Sequence, residues 1–338
     1  MPMIWFAPLQ GRSARASAVA AAAAVAAMAA LLVLPPRPAL AQTKVPAAAR
    51  IPTAAPPVQK LADVPYGPDR RQRMDVYLPA APTMPSSGSP GGAAPVLLMV
   101  HGGAWSMGDK AHGRVVEEKV ARWVARGWVV VSANYRLLPA ADVLQQAQDV
   151  ASALAAVQRN AAQWGGDAAR VVLMGHSAGA HLASLVSTAP VYAQQAGVRP
   201  WLGTVALDSA ALDVPALMQA RHAAFYDGVF GADPAFWRAA SPAHGLPDAP
   251  PGVTAPAQPA PAPVPFLLVC STLLSDGSCR QSAAMTRRLQ AHGGRAEVLP
   301  QPLSHGDINA RLGLEGDYTR AVKAFLATLD PWLAAHLP

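Results

Sequence analysis

Charged residues are scarce in this chain of 338 amino acids: Asp, Glu, Lys and Arg make up 14% of it, and the net charge is +7. The sequence has no run of Lys or Arg, no aromatic RNA-reading motif and no zinc-finger spacing, which argues against nucleic acid as a partner. HExxH and metal-spaced Cys/His clusters are also absent, so neither a metal nor another cofactor is expected. Self-similarity at a period of about 20 to 50 residues is lacking, which excludes a repeat array.

The first 41 residues have the pattern of a secretory signal peptide. Arg12 and Arg15 precede the apolar run Ala18–Leu34, and Ala39 and Ala41 supply the small residues at positions −3 and −1 of a cleavage site. The run is 17 residues long, which is the lower limit of a membrane span, but it is mostly alanine, and this favours cleavage over a retained anchor. We therefore expect an exported protein, periplasmic or secreted, with no stable membrane anchor. The cleaved segment holds three arginines and no acid, so the mature chain carries +4.

The remaining residues divide into a leader and one domain. Residues 42–60 are rich in Pro and Ala, which predicts a flexible leader. From 61 to 338, short apolar runs alternate with helical patterns, and a Pro-rich insert at about 249–265 has neither pattern. This alternation predicts a mostly parallel sheet flanked by helices, a three-layer α/β/α domain. Strands are predicted at 74–79, 96–100, 128–135, 170–175, 202–208, 266–270 and 295–301, and helices at 115–126, 142–163, after 177, 281–292 and 318–329.

The stretch GHSAG, Gly175 to Gly179, places Ser177 between a predicted buried strand and a predicted helix. A serine nucleophile needs a sharp turn that lifts its hydroxyl clear of the sheet, and glycines relieve the crowding there. The alternative is that these small residues only let a helix pack closely on a strand. The choice between them depends on finding a base, an acid and an oxyanion hole elsewhere in the chain.

The stretch HGGAW, His101 to Trp105, directly follows a predicted strand. Two glycines after a strand allow backbone N–H groups to point into a cavity, as oxyanion donors do. We expect the amides of Gly103 and Ala104, together with that of Ala178, to form an oxyanion hole. His101 is expected to orient this loop rather than to transfer protons, and Trp105 to line a substrate pocket or merely to pack.

Among the nine histidines, His305 is best placed to act as a base. It follows the last predicted strand in a polar loop, and functional groups converge at the carboxyl ends of strands in open α/β sheets. His176 is too close to Ser177 in the sequence. His181 lies one helical turn beyond Ser177 and is expected to pack beneath the site.

The acid that orients the histidine should come between Ser177 and His305 in the chain, near the end of a strand. Asp276 is the only carboxylate from residue 249 to 296, and it follows a predicted strand. Asp208 ends another predicted strand and is the alternative acid. The chain order serine, acid, histidine favours Asp276.

The two cysteines, Cys270 and Cys279, bracket Asp276. In an oxidising compartment such a pair can form a disulfide, and two free thiols are the alternative because spacing alone does not give the distance between the Cα atoms. We hypothesise that a bridge here would pin the acid loop.

Together, these stretches resemble the α/β-hydrolase superfamily of carboxylesterase/lipase-like enzymes. More narrowly, they are similar to its acetyl-xylan/feruloyl esterase and kynurenine-formamidase-like branch. The likeness covers about residues 61–335, although family members place the acid closer to its strand in a Gly-x-x-Asp arrangement, which CSTLLSD lacks. It rests on HGGAWSMGDK (101–110), SANYRLLP (132–139), GHSAGAHL (175–182), SPAHGL (241–246) and LSHGDIN (303–309).

The resemblance implies the α/β-hydrolase fold, with Ser177 as nucleophile, His305 as base and the HGGA loop as oxyanion hole. It implies a serine hydrolase that cleaves short-chain or aryl carboxylic esters through an acyl-enzyme, with a small-molecule ester as its partner. The alternatives are an arylformamidase or amidase with the same triad, an esterase of polysaccharides or polyesters, and a non-enzymatic binding protein of this fold. Acyl-chain length, leaving group and oligomeric state stay open.

Overall fold

The structure, a computed structural model, describes residues 58–79, 92–246, 262–275 and 277–337. These residues belong to one unit, Thr53–Pro338. The strands of this part are β1 (Val58–Pro65), β2 (Arg73–Pro79), β3 (Ala94–Val100), β4 (Val129–Ala133), β5 (Gly166–His176), β6 (Gly203–Leu207), β7 (Phe266–Ser271) and β8 (Ala296–Gln301).

Helices connect these strands and cover the sheet. A π-helical turn, Val120–Val124, extends the first helix, and a 3₁₀ turn, Ala161–Trp164, extends the second. The α-helices are α1 (Gly113–Lys119), α2 (Val143–Asn160), α3 (Ala178–Thr188), α4 (Pro190–Ala196), α5 (Val214–Gln219), α6 (Phe225–Phe230), α7 (Pro234–Ala239), α8 (Pro242–Gly245), α9 (Ser278–Ala291), α10 (His305–Ala310), α11 (Asp317–Ala327) and α12 (Pro331–His336).

The eight strands form one sheet in the order β1-β2-β4-β3-β5-β6-β7-β8. β1 pairs antiparallel with β2, and β2 with β4, whereas the pairs from β4 to β8 are parallel. Strands β4, β6 and β7 are buried at every residue, as expected for parallel strands covered by helices on both faces. The predicted mostly parallel sheet is therefore confirmed. Its parallel strands end at the same edge, where the candidate site lies.

Alternate residues of β3 separate the two halves of the core. Leu98 and Val100 pack in a cluster with side chains of α2 and α3, whereas Leu97 and Met99 pack in another cluster with side chains of α1 and α11. Successive side chains of a strand point to opposite faces, so a continuous apolar run in β3 serves both layers. The capping box of α2, in which Asp142 and Gln145 bond reciprocally to each other's backbone N–H groups, fixes where that helix begins.

The edge strand β1 is not predicted by the sequence. It begins at Val58, inside the segment predicted to be a leader, and only two of its eight residues are even partly buried. An exposed edge strand needs no alternation of apolar and polar residues, so its sequence carries little signal. The predicted signal peptide, the rest of the leader and most of the Pro-rich insert lie outside the described residues.

Among the described residues between β6 and β7 there are four short helices, α5 to α8, and residues of the first two line the candidate site. In the described ranges, no helix combines the length and the hydropathy needed to span a bilayer.

Candidate active site

Ser177 occupies a strained turn between β5 and α3. Its φ and ψ are 56° and −119°, a region that non-glycine residues rarely adopt, and its N–H donates to the Leu207 carbonyl at 2.9 Å. The flanking glycines have no room for a side chain, since a Cβ on Gly175 would meet the backbone of Gly179 and one on Gly179 would meet the Val100 carbonyl. The turn is thus a sharp strand-to-helix bend held by tight backbone packing, the geometry that exposes a nucleophile.

The loop after β3 lies directly against this turn. A Cβ on Gly102 would come within 2.9 Å of the Ser177 Cβ, so only glycine allows this approach. Ala104 has φ 48° and, like Ala178, lines the cavity beside Ser177, whereas Gly103 is not among the lining residues. Within the described part of the chain, the amides of Gly103, Ala104 and Ala178 donate no hydrogen bond. Ala104 and Ala178 therefore lie beside the serine, and the three predicted oxyanion donors keep N–H groups without an acceptor among the described residues.

His101 and Tyr135 brace the base of this loop. Their rings stack with centroids 4.5 Å apart, and the Tyr135 hydroxyl donates to the His101 carbonyl at 3.0 Å. His101 Nδ1–H donates to the Gly102 carbonyl at 2.7 Å, and burial lowers the pKa of His101 to about 4. A buried, neutral imidazole bonded to its own loop is structural, which agrees with the expectation that His101 orients the loop.

Trp105 lies in the cavity wall and is held from behind by His181. The indole N–H of Trp105 donates to His181 Nδ1 at 3.2 Å, and His181 Nε2–H donates to the Ala240 carbonyl at 2.7 Å. In the neutral His181 imidazole, Nδ1 therefore accepts a hydrogen bond and Nε2–H donates one. Burial lowers the pKa of His181 to about 4. His181 thus ties the loop after β3 to the segment between β6 and β7.

His305 is the first residue of α10, and its imidazole meets a carboxylate. Its Nδ1 lies 2.7 Å from Oδ2 of Asp208. Ser304 caps the helix by accepting from the Asp307 N–H, which fixes the start of α10 at the carboxyl edge of the sheet. His305 and Ser177 line the same cavity. An acid bonded at Nδ1 leaves Nε2 of the imidazole free to act as a base.

The contact with Asp208 corrects the preference for Asp276 as the acid. Asp276 itself lies outside the described residues, and the imidazole N–H that it was expected to bind is already bonded to Asp208. Asp208 follows β6 directly and has φ 56°, and its N–H donates to the Val269 carbonyl of the adjacent strand. Both aspartates satisfy the chain order, so the sequence alone could not separate them.

The surroundings of Asp208 favour its ionised form. The residue is 1% exposed, and this burial opposes ionisation. The hydrogen bonds from His305 and from the Ser271 N–H, which is 2.8 Å from Oδ1, outweigh burial and hold the pKa of Asp208 below its ordinary value. The carboxylate therefore stays charged at neutral pH and stabilises a positive imidazole beside it.

Two further buried basic side chains hold α10 in place, and no motif in the sequence indicates either role. His176 Nε2–H donates to the His305 carbonyl at 2.9 Å, and burial lowers the pKa of His176 to about 3. Lys119 Nζ donates to the carbonyl and to the side-chain Oδ1 of Asn309, at 2.7 and 2.8 Å. Burial lowers the pKa of Lys119 to about 7. These contacts fix both ends of the helix that carries His305.

A disulfide joins Cys270 and Cys279, with Cα atoms 5.1 Å apart. The two residues bracket the loop after β7, in which Leu274 and Ser275 line the cavity. The bridge therefore ties the start of α9 to the end of β7 and limits the movement of one cavity wall.

The cavity has a volume of about 680 Å³ and opens at the carboxyl edge of the sheet. Its walls combine the nucleophile turn, the loop after β3, the segment α5–α6 and the loop after β7. Among the described residues, no group of three or more His, Cys, Asp or Glu is placed to hold a metal ion. The lining residues are Ala104, Trp105, Ser177, Ala178, Asp208, Ser209, Ala210, Leu217, Arg221, His222, Ala223, Phe225, Tyr226, Leu274, Ser275 and His305.

Known structures share this architecture. The structure resembles the crystal structure of esterase B from Lactobacillus Rhamnosis, with a TM-score of 0.61 and 22% identity over 82% of this chain and 87% of that one. The chain has the α/β-hydrolase fold. The same esterase B inhibited by a tributyrin phosphonate matches with a TM-score of 0.59 and 23% identity, over 82% of this chain and 85% of that chain.

Sequence comparison supports the esterases within this superfamily. The BD-FAE family model matches residues 74–197. The chain is 36% identical over 126 residues to the probable isoprenylcysteine alpha-carbonyl methylesterase ICME of Oryza sativa subsp. japonica. The matched region covers 37% of this chain and 28% of that protein. It is 38% identical over 127 residues to esterase LipQ of Mycobacterium tuberculosis, 37% of this chain and 28% of that one. The chain thus spans about a quarter of the length of the curated relatives it matches.

Proposed function

We propose that this α/β-hydrolase is a carboxylic-ester hydrolase that acts on short-chain or aryl esters through Ser177, His305 and Asp208. The observation that carries the proposal is the 2.7 Å contact between His305 Nδ1 and Asp208 Oδ2, in a cavity that His305 shares with the strained Ser177 turn. The names of the relatives and of the structural neighbours support an esterase.

In the proposed mechanism, Ser177 Oγ attacks the ester carbonyl while His305 Nε2 takes the serine proton. Asp208 holds the Nδ1–H tautomer and stabilises the imidazolium that forms. His305 then passes the proton to the leaving alcohol, and an acyl-enzyme remains on Ser177. Water, activated by the same imidazole, releases the acid.

The oxyanion of the tetrahedral intermediate is assigned to the amides around the serine. Ala178 N–H follows the nucleophile at the start of α3, and the Gly103 and Ala104 amides come from the opposite loop. Among the described residues these N–H groups have no protein acceptor, which supports the role because donors that are already available need no reorganisation. Loss of one such donor typically lowers kcat by about 10²- to 10³-fold.

Hydrolysis of 4-nitrophenyl acetate and butyrate, set beside N-formylkynurenine, tests the proposal. We expect ester turnover by the wild type and a loss of about 10⁶-fold in kcat for Ser177→Ala. Turnover of N-formylkynurenine without ester hydrolysis would instead assign an arylformamidase to the same triad. Turnover of neither class would favour a binding protein of this fold.

We also propose that the protein is exported and cleaved after Ala41. The signal-like composition of residues 1–41 supports this, as does the Cys270–Cys279 disulfide, since such bonds persist in oxidising compartments. Fractionation of a bacterial host that expresses the full chain, with N-terminal sequencing of the product, checks it. Recovery of the uncleaved chain in the cytosol would contradict export.

A further inference from the structure

The cavity wall holds a charged side chain, Arg221, that the proposed mechanism does not use. Four lining residues have side chains that can be charged near neutral pH: Asp208, Arg221, His222 and His305. The Asp208 carboxylate is already bonded to His305 and to the Ser271 N–H, so it offers no free negative charge to a substrate. Arg221 is exposed and, in the described part of the chain, its guanidinium has neither a hydrogen bond nor an ion pair. A charged donor with five N–H groups is therefore left for a ligand.

His222 holds the turn that presents Arg221. Its Nδ1 lies 2.7 Å from the Ala220 carbonyl and its Nε2 lies 3.0 Å from Oδ1 of Asp227, so the ring bridges the end of α5 and the start of α6. Both ring nitrogens face acceptors, and the bond to Asp227 is the main cause that raises the pKa of His222. Asp227 does not line the cavity, so its charge pairs with His222 behind the wall.

Large apolar side chains also line the cavity near Arg221. Leu217, Phe225 and Tyr226 lie on the same segment as Arg221, and Leu274 lies on the loop after β7. Phe225 and Leu274 are large apolar side chains that remain exposed, as expected where hydrocarbon is bound. A ligand that fits this wall combines a hydrocarbon or aryl body with a negatively charged group.

We propose that the cavity selects esters whose acyl or alcohol half carries a carboxylate, with Arg221 as the residue that binds that carboxylate. This proposal rests on the esterase function proposed above and specifies its substrate class. Guanidinium is suited to the role because its planar N–H pairs match the two oxygens of a carboxylate.

The experiment uses two pairs of esters in which charge changes while shape is retained. Monomethyl adipate and methyl 5-carbamoylpentanoate differ on the acyl side, and 4-acetoxybenzoate and 4-acetoxybenzamide differ on the alcohol side. The ratio of kcat/KM, anionic to neutral, is measured within each pair for wild type, Arg221→Gln and Arg221→Lys. Arg287→Gln is the matched control, because Arg287 is an exposed arginine on α9 that does not line the cavity.

For one of the pairs we expect a wild-type ratio above one. This ratio should fall about fivefold in Arg221→Gln and by a smaller factor in Arg221→Lys. Arg287→Gln should leave it unchanged. The pair that responds identifies which half of the ester carries the charge. High salt should lower the wild-type ratio, because an exposed ion pair is screened. If both pairs gave equal ratios in wild type and Arg221→Gln while the neutral esters were hydrolysed, the proposed substrate class would be wrong and the esterase function would stand. Failure to hydrolyse any of the four esters would count against the esterase itself.

Discussion

At the scale of single residues, the His305–Asp208 contact organises the site. The Asp208 carboxylate is buried and accepts two hydrogen bonds, and it sets which nitrogen of His305 carries the proton. Only Nε2 of the imidazole is then left to face the cavity, and this nitrogen is the proposed base. The tautomer is thus set by groups at the ends of two neighbouring strands, β6 and β7.

Replacing each aspartate in turn tests this assignment. Asp208→Asn should lower kcat by about 10⁴-fold, because an amide can donate to Nδ1 and so favour the wrong tautomer. Asp276→Asn, the control, should keep kcat near the wild-type value. Steady-state kinetics on 4-nitrophenyl butyrate measures both, and a larger loss in Asp276→Asn than in Asp208→Asn would contradict the assignment.

At the scale of elements, the turn between β5 and α3 depends on backbone contacts that only glycine allows. Gly179→Ala would push a Cβ into the Val100 and His101 carbonyls, at the start of the loop after β3. We expect the free energy of unfolding to fall by about 1–3 kcal/mol, as for other overpacked sites, and kcat to fall because the loop shifts. Urea denaturation and steady-state kinetics measure the two effects.

Gly228→Ala is the matched control for that prediction. Gly228 lies in α6, and an added Cβ would meet no atom within 4 Å. Alanine favours the helix, so stability should stay equal or rise by up to about 1 kcal/mol. If Gly179→Ala behaved like Gly228→Ala, the tight packing at the turn would not matter for the site.

The disulfide between β7 and α9 stabilises the cavity wall that holds Leu274 and Ser275. The double variant Cys270→Ser/Cys279→Ser should lose about 2–3 kcal/mol of unfolding free energy, the value for a short closed loop. It should also raise KM, because Leu274 and Ser275 line the cavity, and lower kcat, because Ser271 within the bridged segment donates to Asp208. Denaturation curves and kinetics test this, and two titratable thiols in native, active wild type would rule out the bridge.

At the scale of the whole molecule, buried neutral histidines couple stability to pH. Burial lowers the pKa of His101, His176 and His181 to about 4, 3 and 4, against about 6.5 in the unfolded chain. The unfolded state therefore binds more protons between these values, so stability is fully present above pH 6.5 and falls as the pH drops. Each histidine contributes about 1.4 kcal/mol per pH unit in that window.

Urea denaturation at pH 7, 6 and 5 measures this coupling. The lowered pKa of Asp208 acts only below about pH 4, and that of Lys119 only above about pH 7, so neither obscures the window. His181→Gln should reduce the slope by one histidine's share. Equal stability at pH 7 and 5 in the wild type would contradict the neutral, buried state of these rings.

Most of the sheet could be predicted from sequence, because buried parallel strands such as β3 and β7 are continuous apolar runs bounded by turn residues. The Ser177 turn could also be predicted, since the close approach of backbone atoms there requires glycine at positions 175 and 179. Asp208 was ranked second because two aspartates met the same criteria, and only the lateral pairing of β6 with β7 separates them. Arg221 and His222 gave no signal, since their place in the cavity comes from packing of the short helices between distant strands.

Mass spectrometry of the folded, full-length protein after reaction with a fluorophosphonate tests the central claim most directly. A serine activated by His305 and Asp208 should form a covalent phosphonyl adduct on Ser177 alone, with parallel loss of ester hydrolysis. The labelling rate should fall by orders of magnitude in His305→Ala and disappear in Ser177→Ala. An unlabelled Ser177 in folded wild-type protein, or an adduct that forms equally fast in His305→Ala, would contradict the account.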